Sequence, residues 1–415
     1  MNAIIISVGD ELTSGQTIET NSAHLARRLA GVGIVTSAKW TVGDDGEAIA
    51  SAIAAAAKAA DLVIVTGGLG PTADDLTRQG LADAMGTELI LDAGRLAEIE
   101  DFFRRRGRTM APANRLQAMV PAGAELLSNK LGTAPGIAAR VGGRPVFALP
   151  GVPHEMEWMF DAVVAPRLGR NAGVVLYHAL HAFGQGESDI ASLIADLMDR
   201  SRNPSVGTTV ASGLVTLRIT SRGRSGQEAR KGIETTVREI RSRLGTMVVG
   251  EGEQTVASVV GELLRRDGQT LAVAESCTGG MIAEMITAVP GSSDYFLGGV
   301  VAYADRVKTQ LLSAPRELLD SHGAVSEEAA IAMATGCKAL LNSDWAIGVT
   351  GIAGPSGGSE EKPVGLVCIA LAGPSGTASH RHVFPGDRST IRLRASLAGL
   401  NHLRLALLGG TAPRR

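Results

Sequence analysis

Cysteine is scarce in this chain: three residues among 415, Cys277, Cys337 and Cys368, an odd number with no C-x-x-C spacing. That scarcity argues against a disulfide framework and a thiolate zinc site, and it suits a reducing compartment. Basic charge is not in surplus either. The formal net charge of −2 offers no global field for nucleic acid, which is therefore not expected as a partner. Uncharged apolar runs stop short of the ~18 residues a membrane span needs. Met1-Asn2-Ala3 leads straight into Ile4-Ile5-Ile6 with no basic n-region, so the expectation is a cytoplasmic protein, neither secreted nor membrane-bound.

What is present is patterned apolar sequence, 45% of all residues, in a chain long enough for two or three domains at a soft prior of ~150 residues each. The expected fold class is α/β multidomain. Residues 1–170 alternate apolar strands (Ala3–Val8, Ile34–Trp40, Leu62–Val65) with amphipathic helices (Asn21–Ala30, Glu47–Ala59), which predicts a three-layer domain with a largely parallel sheet. Residues 172–252 read as a small α+β module, with helices over Ile190–Met198 and Gln227–Leu244. Residues 254–412 form a second α/β unit.

Two stretches carry chemistry. After the third strand comes Thr66-Gly67-Gly68-Leu69-Gly70-Pro71-Thr72-Ala73-Asp74-Asp75. Gly67, Gly68 and Gly70 let backbone amides approach an anionic ligand, and Thr72 adds a hydroxyl. The paired acids Asp74 and Asp75 suit a hard cation, and Asp10 and Glu11 follow the first strand to the same sheet edge, so these four are the candidate metal ligands. The alternative is a tight loop in which the two aspartates stabilise the following helix through its dipole. Arg104-Arg105-Arg106-Gly107-Arg108 reads as a solvated helix end rather than a phosphate guide.

The second stretch is Ala274-Glu275-Ser276-Cys277-Thr278-Gly279-Gly280, between the strand Thr270–Ala274 and a helix expected over Gly279–Ala288. Thr278, Gly279 and Gly280 would offer backbone donors to an anion beside the Ser276 hydroxyl, or the stretch is a plain turn with Ser276 as helix cap. Tyr303 follows another strand, and Thr350-Gly351-Ile352-Ala353-Gly354-Pro355 a third; parallel strands would bring all three ends to one pocket. No histidine lies near these motifs. A lysine can take the serine's proton instead, which makes Lys308 the candidate base, with Tyr303 relaying the proton or orienting the amine. Read alone, Lys308 would be an exposed helix lysine. Cys277 is a rival nucleophile, or a buried spectator.

These residues carry a resemblance. Gly9-Asp10-Glu11-Leu12, Val42-Gly43-Asp44-Asp45, the 66–75 loop, Gly132-Thr133-Ala134-Pro135-Gly136 and Leu149-Pro150-Gly151-Val152-Pro153 resemble the molybdopterin-binding fold as it occurs in the front half of the CinA family. Thr13 stands where that family usually has a second leucine. The middle module resembles the family's KH-like linker, but no Gly-x-x-Gly loop between helices is placed there, so a spacer or dimerisation role is expected. The Ser276 stretch, Tyr303 with Lys308, Gly323-Ala324-Val325-Ser326, the 350–355 loop and Lys362-Pro363-Val364-Gly365 resemble the CinA C-terminal domain, with Leu366 where the family often has threonine.

The resemblance implies deamidation of nicotinamide mononucleotide by Ser276, Lys308 and Tyr303 with no cofactor. For the front half it implies hydrolysis of ADP-ribose with a divalent metal, with or without K+. A homodimer is the expected assembly. Arg388 and Arg392 are candidates for the substrate phosphate, since planar guanidinium suits it, although surface ion pairs would explain them as well. The rival reading is a non-catalytic pterin- or nucleotide-binding protein that recruits partners in competence or DNA damage.

Overall fold

The apolar run near the start becomes β1 (Asn2–Val8), buried along almost its whole length as a strand covered on both faces must be. A computed structural model of the chain describes residues 1–169 and 173–409. Its contacts gather into two compact units, Met1–Leu176 with Thr220–Gly232 and Tyr177–Ile219 with Ile233–Arg415.

In the first unit β1 pairs in parallel with β2 (Val35–Val42) and β3 (Leu62–Thr66). β4 (Leu89–Leu91) and β5 (Met119–Pro121) make a separate two-stranded ladder. β6 (Glu125–Leu127), β7 (Gly136–Val141) and β8 (Arg144–Leu149) complete a six-stranded sheet of order β2-β1-β3-β8-β7-β6. β8 joins β3 in parallel, and β7 and β6 continue antiparallel. Alternation along β1 sorts the two faces. Ala3 and Ile5 pack with Leu25, Leu29, Met156 and Phe160, whereas Ile4, Ile6 and Val8 pack with Ile49, Ile53 and Leu81. That is the three-layer arrangement expected.

The middle module is a four-stranded sheet of order β10-β11-β9-β12, built from β9 (Val174–Phe183), β10 (Ser205–Ala211), β11 (Leu214–Gly223) and β12 (Val248–Glu251), with the helix Gly226–Leu244. The helix expected over Ile190–Met198 ends at Leu193, and a 3-10 turn, Ala195–Met198, follows.

In the C-terminal region β13 (Leu271–Glu275), β14 (Phe296–Val301), β15 (Trp345–Gly351), β16 (Leu366–Gly373) and β17 (Gly376–Val383) form a sheet of order β14-β13-β15-β16-β17. β14, β13 and β15 are parallel; β16 and β17 are antiparallel. One face packs Val273, Ile347 and Ile369 on the helices Val256–Asp267, Met281–Thr287 and Arg388–Leu407. The other packs Ala272, Ala274 and Ala346 on Ala330, Met333 and Cys337 of the helix Glu327–Leu341. All three cysteines are free and buried. Among the described residues no helix is long and apolar enough to cross a membrane.

Candidate functional site

Because β13, β14 and β15 run the same way, their carboxyl ends meet at one edge of the sheet. Ser276 leaves β13 there, anchored by its N–H to the Val349 carbonyl of β15 at 2.9 Å. Tyr303 follows β14, and Thr350 lies in β15. A cavity of about 200 Å³ opens between them, lined by Ser276, Cys277, Tyr303, Asp305, Lys308, Thr350, Gly351 and Arg388, with Ala324, Val325 and Ala353 as its apolar wall. The convergence expected of parallel strands is thus present, and Lys308 is not an exposed helix lysine. It is 1% exposed.

The contacts inside the cavity redistribute several roles. Lys308 Nζ donates to Asp305 Oδ1 at 2.9 Å and to the backbone oxygen of Tyr303 at 3.4 Å. The Tyr303 phenol instead accepts from Arg388 Nη2 at 3.2 Å, so it orients the guanidinium rather than the amine. Arg388 Nη1 donates to the Gly354 carbonyl at 2.8 Å, which makes Gly354 a support for the site and not part of its lining. Thr350 Oγ1 donates to the Ala324 carbonyl at 2.7 Å. Lys362 Nζ donates to the carbonyls of His322 and Val325, each at 2.8 Å, and so fixes the same wall from behind.

The backbone donors expected at Gly279 and Gly280 are engaged elsewhere. Gly280 N–H points to Glu275 Oε2 at 2.9 Å, and Gly279 N–H to the Ser276 carbonyl at 3.2 Å. Ile282 and Ala283 N–H also reach the Glu275 carboxylate, at 3.1 and 2.9 Å. The reason is geometric: Gly279 and Gly280 take φ of 62° and 94°, which delays the helix to Met281 and turns its first amides back toward the strand. Ser276 is therefore not a helix cap. Thr278 is fully buried, and its carbonyl is held by Arg392 Nε and Nη2 at 3.2 and 2.7 Å, so Arg392 braces the turn and does not line the cavity. Burial pushes the Cys277 thiol up to about 12, which disfavours the thiolate that a nucleophilic cysteine needs.

In the first unit the Gly-rich loop closes on itself. A Cβ at Gly67 (φ 104°) would collide with the Val8 carbonyl oxygen, and one at Gly68 with the Thr77 hydroxyl. Asp75 accepts Gly70 N–H at 2.7 Å and Thr72 N–H at 2.8 Å, and the Thr72 hydroxyl also donates to it. Asp75, one of the four acids expected to hold a metal, braces the loop here. The buried Arg78, unforeseen in the sequence, donates to the Leu69 carbonyl at 2.7 Å and to that of Gly70; its pKa is lowered by burial.

Asp44 joins the other acids. Its N–H and carboxylate exchange hydrogen bonds with Asp10 at 3.1 and 2.9 Å. Its pKa is raised by burial and by the charges of Asp10, Glu11 and Asp74. Asp74 itself, fully exposed, is held low by the Thr72 side chain. Among the described residues, however, no three carboxylate, imidazole or thiolate side chains are grouped so as to hold an ion. The four-acid metal centre expected from the sequence is not preassembled. The arginine run is the solvated helix end: Arg104 pairs with Asp101, and Arg106 lies 3.6 Å over the Phe102 ring.

A CinA-like protein of Geotalea uraniireducens is 42% identical over 98% of this chain and 98% of its own length. The chain belongs to the CinA family. A second CinA-like protein, of Synechocystis, is 45% identical over 98% of the chain and 99% of its own length. The model of the CinA C-terminal domain matches residues 253–407, which include every residue lining the cavity. The "Probable molybdopterin binding domain" matches residues 4–170, and the damage-inducible protein CinA KH domain residues 178–250.

Among solved structures, the CinA protein of Thermoplasma acidophilum is 38% identical, covering 40% of this chain and 96% of its own, with a TM-score of 0.37. The competence damage-inducible protein A of Klebsiella pneumoniae is 35% identical over 37% of this chain and 95% of its own, with a TM-score of 0.36.

Proposed function

We propose that the C-terminal CinA domain is a serine amidohydrolase that converts nicotinamide mononucleotide to nicotinate mononucleotide and ammonia. One observation carries this reading: a single cavity holds the Ser276 hydroxyl, the Lys308 amine and the Arg388 guanidinium at the ends of three parallel strands. At about 200 Å³ the cavity is smaller than the ~300–1,000 Å³ usual for whole ligands, so it takes the ring and its carboxamide while ribose and phosphate stay at the mouth. Among the described residues Arg388 bonds to neutral acceptors, the Gly354 carbonyl and the Tyr303 phenol, which leaves its charge for the phosphate.

In the reaction Ser276 Oγ bonds to the carboxamide carbon while its proton passes to the lone pair of Lys308 Nζ, which must stand there as the neutral amine. The carbon–nitrogen bond then breaks, and Lys308 returns the proton to the departing ammonia. Water adds to the acyl-serine by the same route in reverse and releases the carboxylate. Ammonia release from nicotinamide mononucleotide tests this. Activity should vanish in Ser276→Ala and Lys308→Ala and persist in Cys277→Ser; a folded wild type that releases none leaves the non-catalytic binding role.

A second reading concerns the N-terminal domain, where Asp10, Asp44 and Asp74 gather negative charge beside the Gly-rich loop. A divalent ion commonly binds through one or two carboxylates with the substrate's phosphates completing its shell. An incomplete protein ligand set therefore suits ADP-ribose hydrolysis in which the ion arrives with the pyrophosphate, and its chemistry would be charge neutralisation there. Formation of AMP from ADP-ribose, with and without divalent metal, tests it.

A further inference from the structure

We propose that Asp305 determines specificity in this cavity: its carboxylate receives the positive charge of a pyridinium ring and so selects the oxidised nicotinamide nucleotide over the neutral dihydropyridine form. The inference rests on the deamidase reading and goes beyond it to the redox state of the substrate. Asp305 is the one acidic side chain among the residues lining the cavity, beside two cations, Lys308 and Arg388. It opens the short helix Asp305–Gln310, which places its carboxylate three residues ahead of Lys308. The pair is lopsided. Lys308's side chain is 2% exposed and Asp305's 64%, so the anion offers its open side to a ligand while the amine lies behind it.

A nucleotide with an oxidised ring is a zwitterion, cationic at the ring and anionic at the phosphate. The cavity mirrors it, with Asp305 for the ring and Arg388 for the phosphate. Charge complementarity of this kind governs which partner is accepted and which rejected. A reduced ring carries no charge, and to seat it the Asp305–Lys308 pair gains nothing in return. Seating the cation also shifts Asp305 from Lys308 to the ring, which leaves the amine with the Tyr303 carbonyl, 3.4 Å away, as its remaining acceptor and lets it turn to Ser276. Recognition and activation of the base are then one event. A purely structural Asp305, which only steadies Lys308, would treat both ring states alike.

The test uses the full chain and measures ammonia release and calorimetric binding with nicotinamide mononucleotide and with its dihydro form. Wild type is expected to bind the cationic ring roughly tenfold or more tightly. In Asp305→Asn the preference, in binding and in kcat/KM, should shrink about tenfold, and Asp305→Glu should restore much of it. The variant's residual ratio carries any difference in intrinsic reactivity between the two carboxamides, so the change in ratio isolates the charge. Equal loss for both ligands in Asp305→Asn, or no binding preference in wild type, overturns the inference. The wild-type binding preference remains decisive if Asp305→Asn does not fold. Absence of ammonia release from the bound cationic nucleotide would instead overturn the deamidase reading.

Discussion

The Glu275 carboxylate, buried at the end of β13, receives the Gly280 N–H at 2.9 Å and so closes the turn that carries Ser276. Two more amides, of Ile282 and Ala283, converge on the same group, which makes Glu275 the partner of the first, otherwise unpaired donors of the following helix. A single side chain thus shapes the Ser276 turn and starts the helix behind it.

Removing that carboxylate should be costly. Glu275→Ala would leave three amides of the turn and helix without their acceptor, and a loss of roughly 2–4 kcal/mol is expected. Glu275→Gln keeps one acceptor oxygen and should lose less. Denaturant midpoints at constant slope measure the loss, and ammonia release should fall with it because Ser276 moves. Wild-type stability in Glu275→Ala would mean that the carboxylate does not organise the turn.

Cys277 is expected to be chemically silent. With the thiol pushed up to about 12, the thiolate is a trace species at neutral pH. Iodoacetamide should therefore label Cys277 in the native chain far more slowly than after unfolding, read by mass spectrometry of the tryptic peptide. Rapid native labelling would return Cys277 to consideration as the nucleophile.

The large features were legible because they follow from periodicity. Apolar runs such as Ala3–Val8 and Leu271–Ala274 are buried on both faces, and a βα order makes their strands parallel, so the meeting of Ser276, Tyr303 and Thr350 could be read from strand ends, with Lys308 on the helix just beyond Tyr303. Partner choice within the site could not. Whether Gly280 N–H faces a substrate or Glu275, or whether Asp75 faces a metal or its own loop, depends on a few ångströms of backbone path that glycine leaves open. Asp305 was within reach, since an acid three residues before a lysine on a helix is a known pairing distance. Lys362 and Arg78 act on carbonyls far along the chain or inside a loop, where spacing carries no signal.

Arg388 and Arg392 should separate cleanly. Arg388→Ala is expected to raise KM for nicotinamide mononucleotide, with a loss of roughly ten- to a hundredfold in kcat/KM, and to act little on nicotinamide riboside, which lacks the phosphate. Arg392→Ala should lower thermal stability and affect both substrates alike, because it holds the Thr278 carbonyl of the turn. Equal effects of Arg388→Ala on both substrates would remove the phosphate assignment.

In the N-terminal domain Asp44 and Asp75 should also differ. Asp44→Asn removes one of the crowded charges and should weaken affinity for divalent metal, seen as a higher metal concentration for half-maximal AMP formation. Asp75→Ala should loosen the loop and lower activity at every metal concentration. An Asp44→Asn enzyme with an unchanged metal titration would place the ion elsewhere.

His380 of β17 stacks on His402 of the final helix at 3.9 Å, and His382 Nε2 meets His402 Nε2 at 2.9 Å, a contact in which one ring must accept and so be neutral. Burial lowers the pKa of all three from the usual 6.5, His402 to about 3, with the neighbouring imidazoles adding to the effect on His402 and His382; Glu327, facing His380, opposes it. The folded chain therefore takes up protons at these rings less readily than the unfolded chain, which protonates them near 6.5, so their contribution is intact above that pH and is lost progressively as the pH falls below it, for His402 down to about 3. Each extra proton held by the unfolded state steepens the decline by about 1.4 kcal/mol per pH unit. Between pH 6.5 and 5 most carboxylates are still ionised, which makes that interval diagnostic. Urea midpoints there should drop in wild type and drop less in His402→Phe, where the proton uptake at that ring is gone; parallel declines in the two proteins would show that the stack does not govern acid stability.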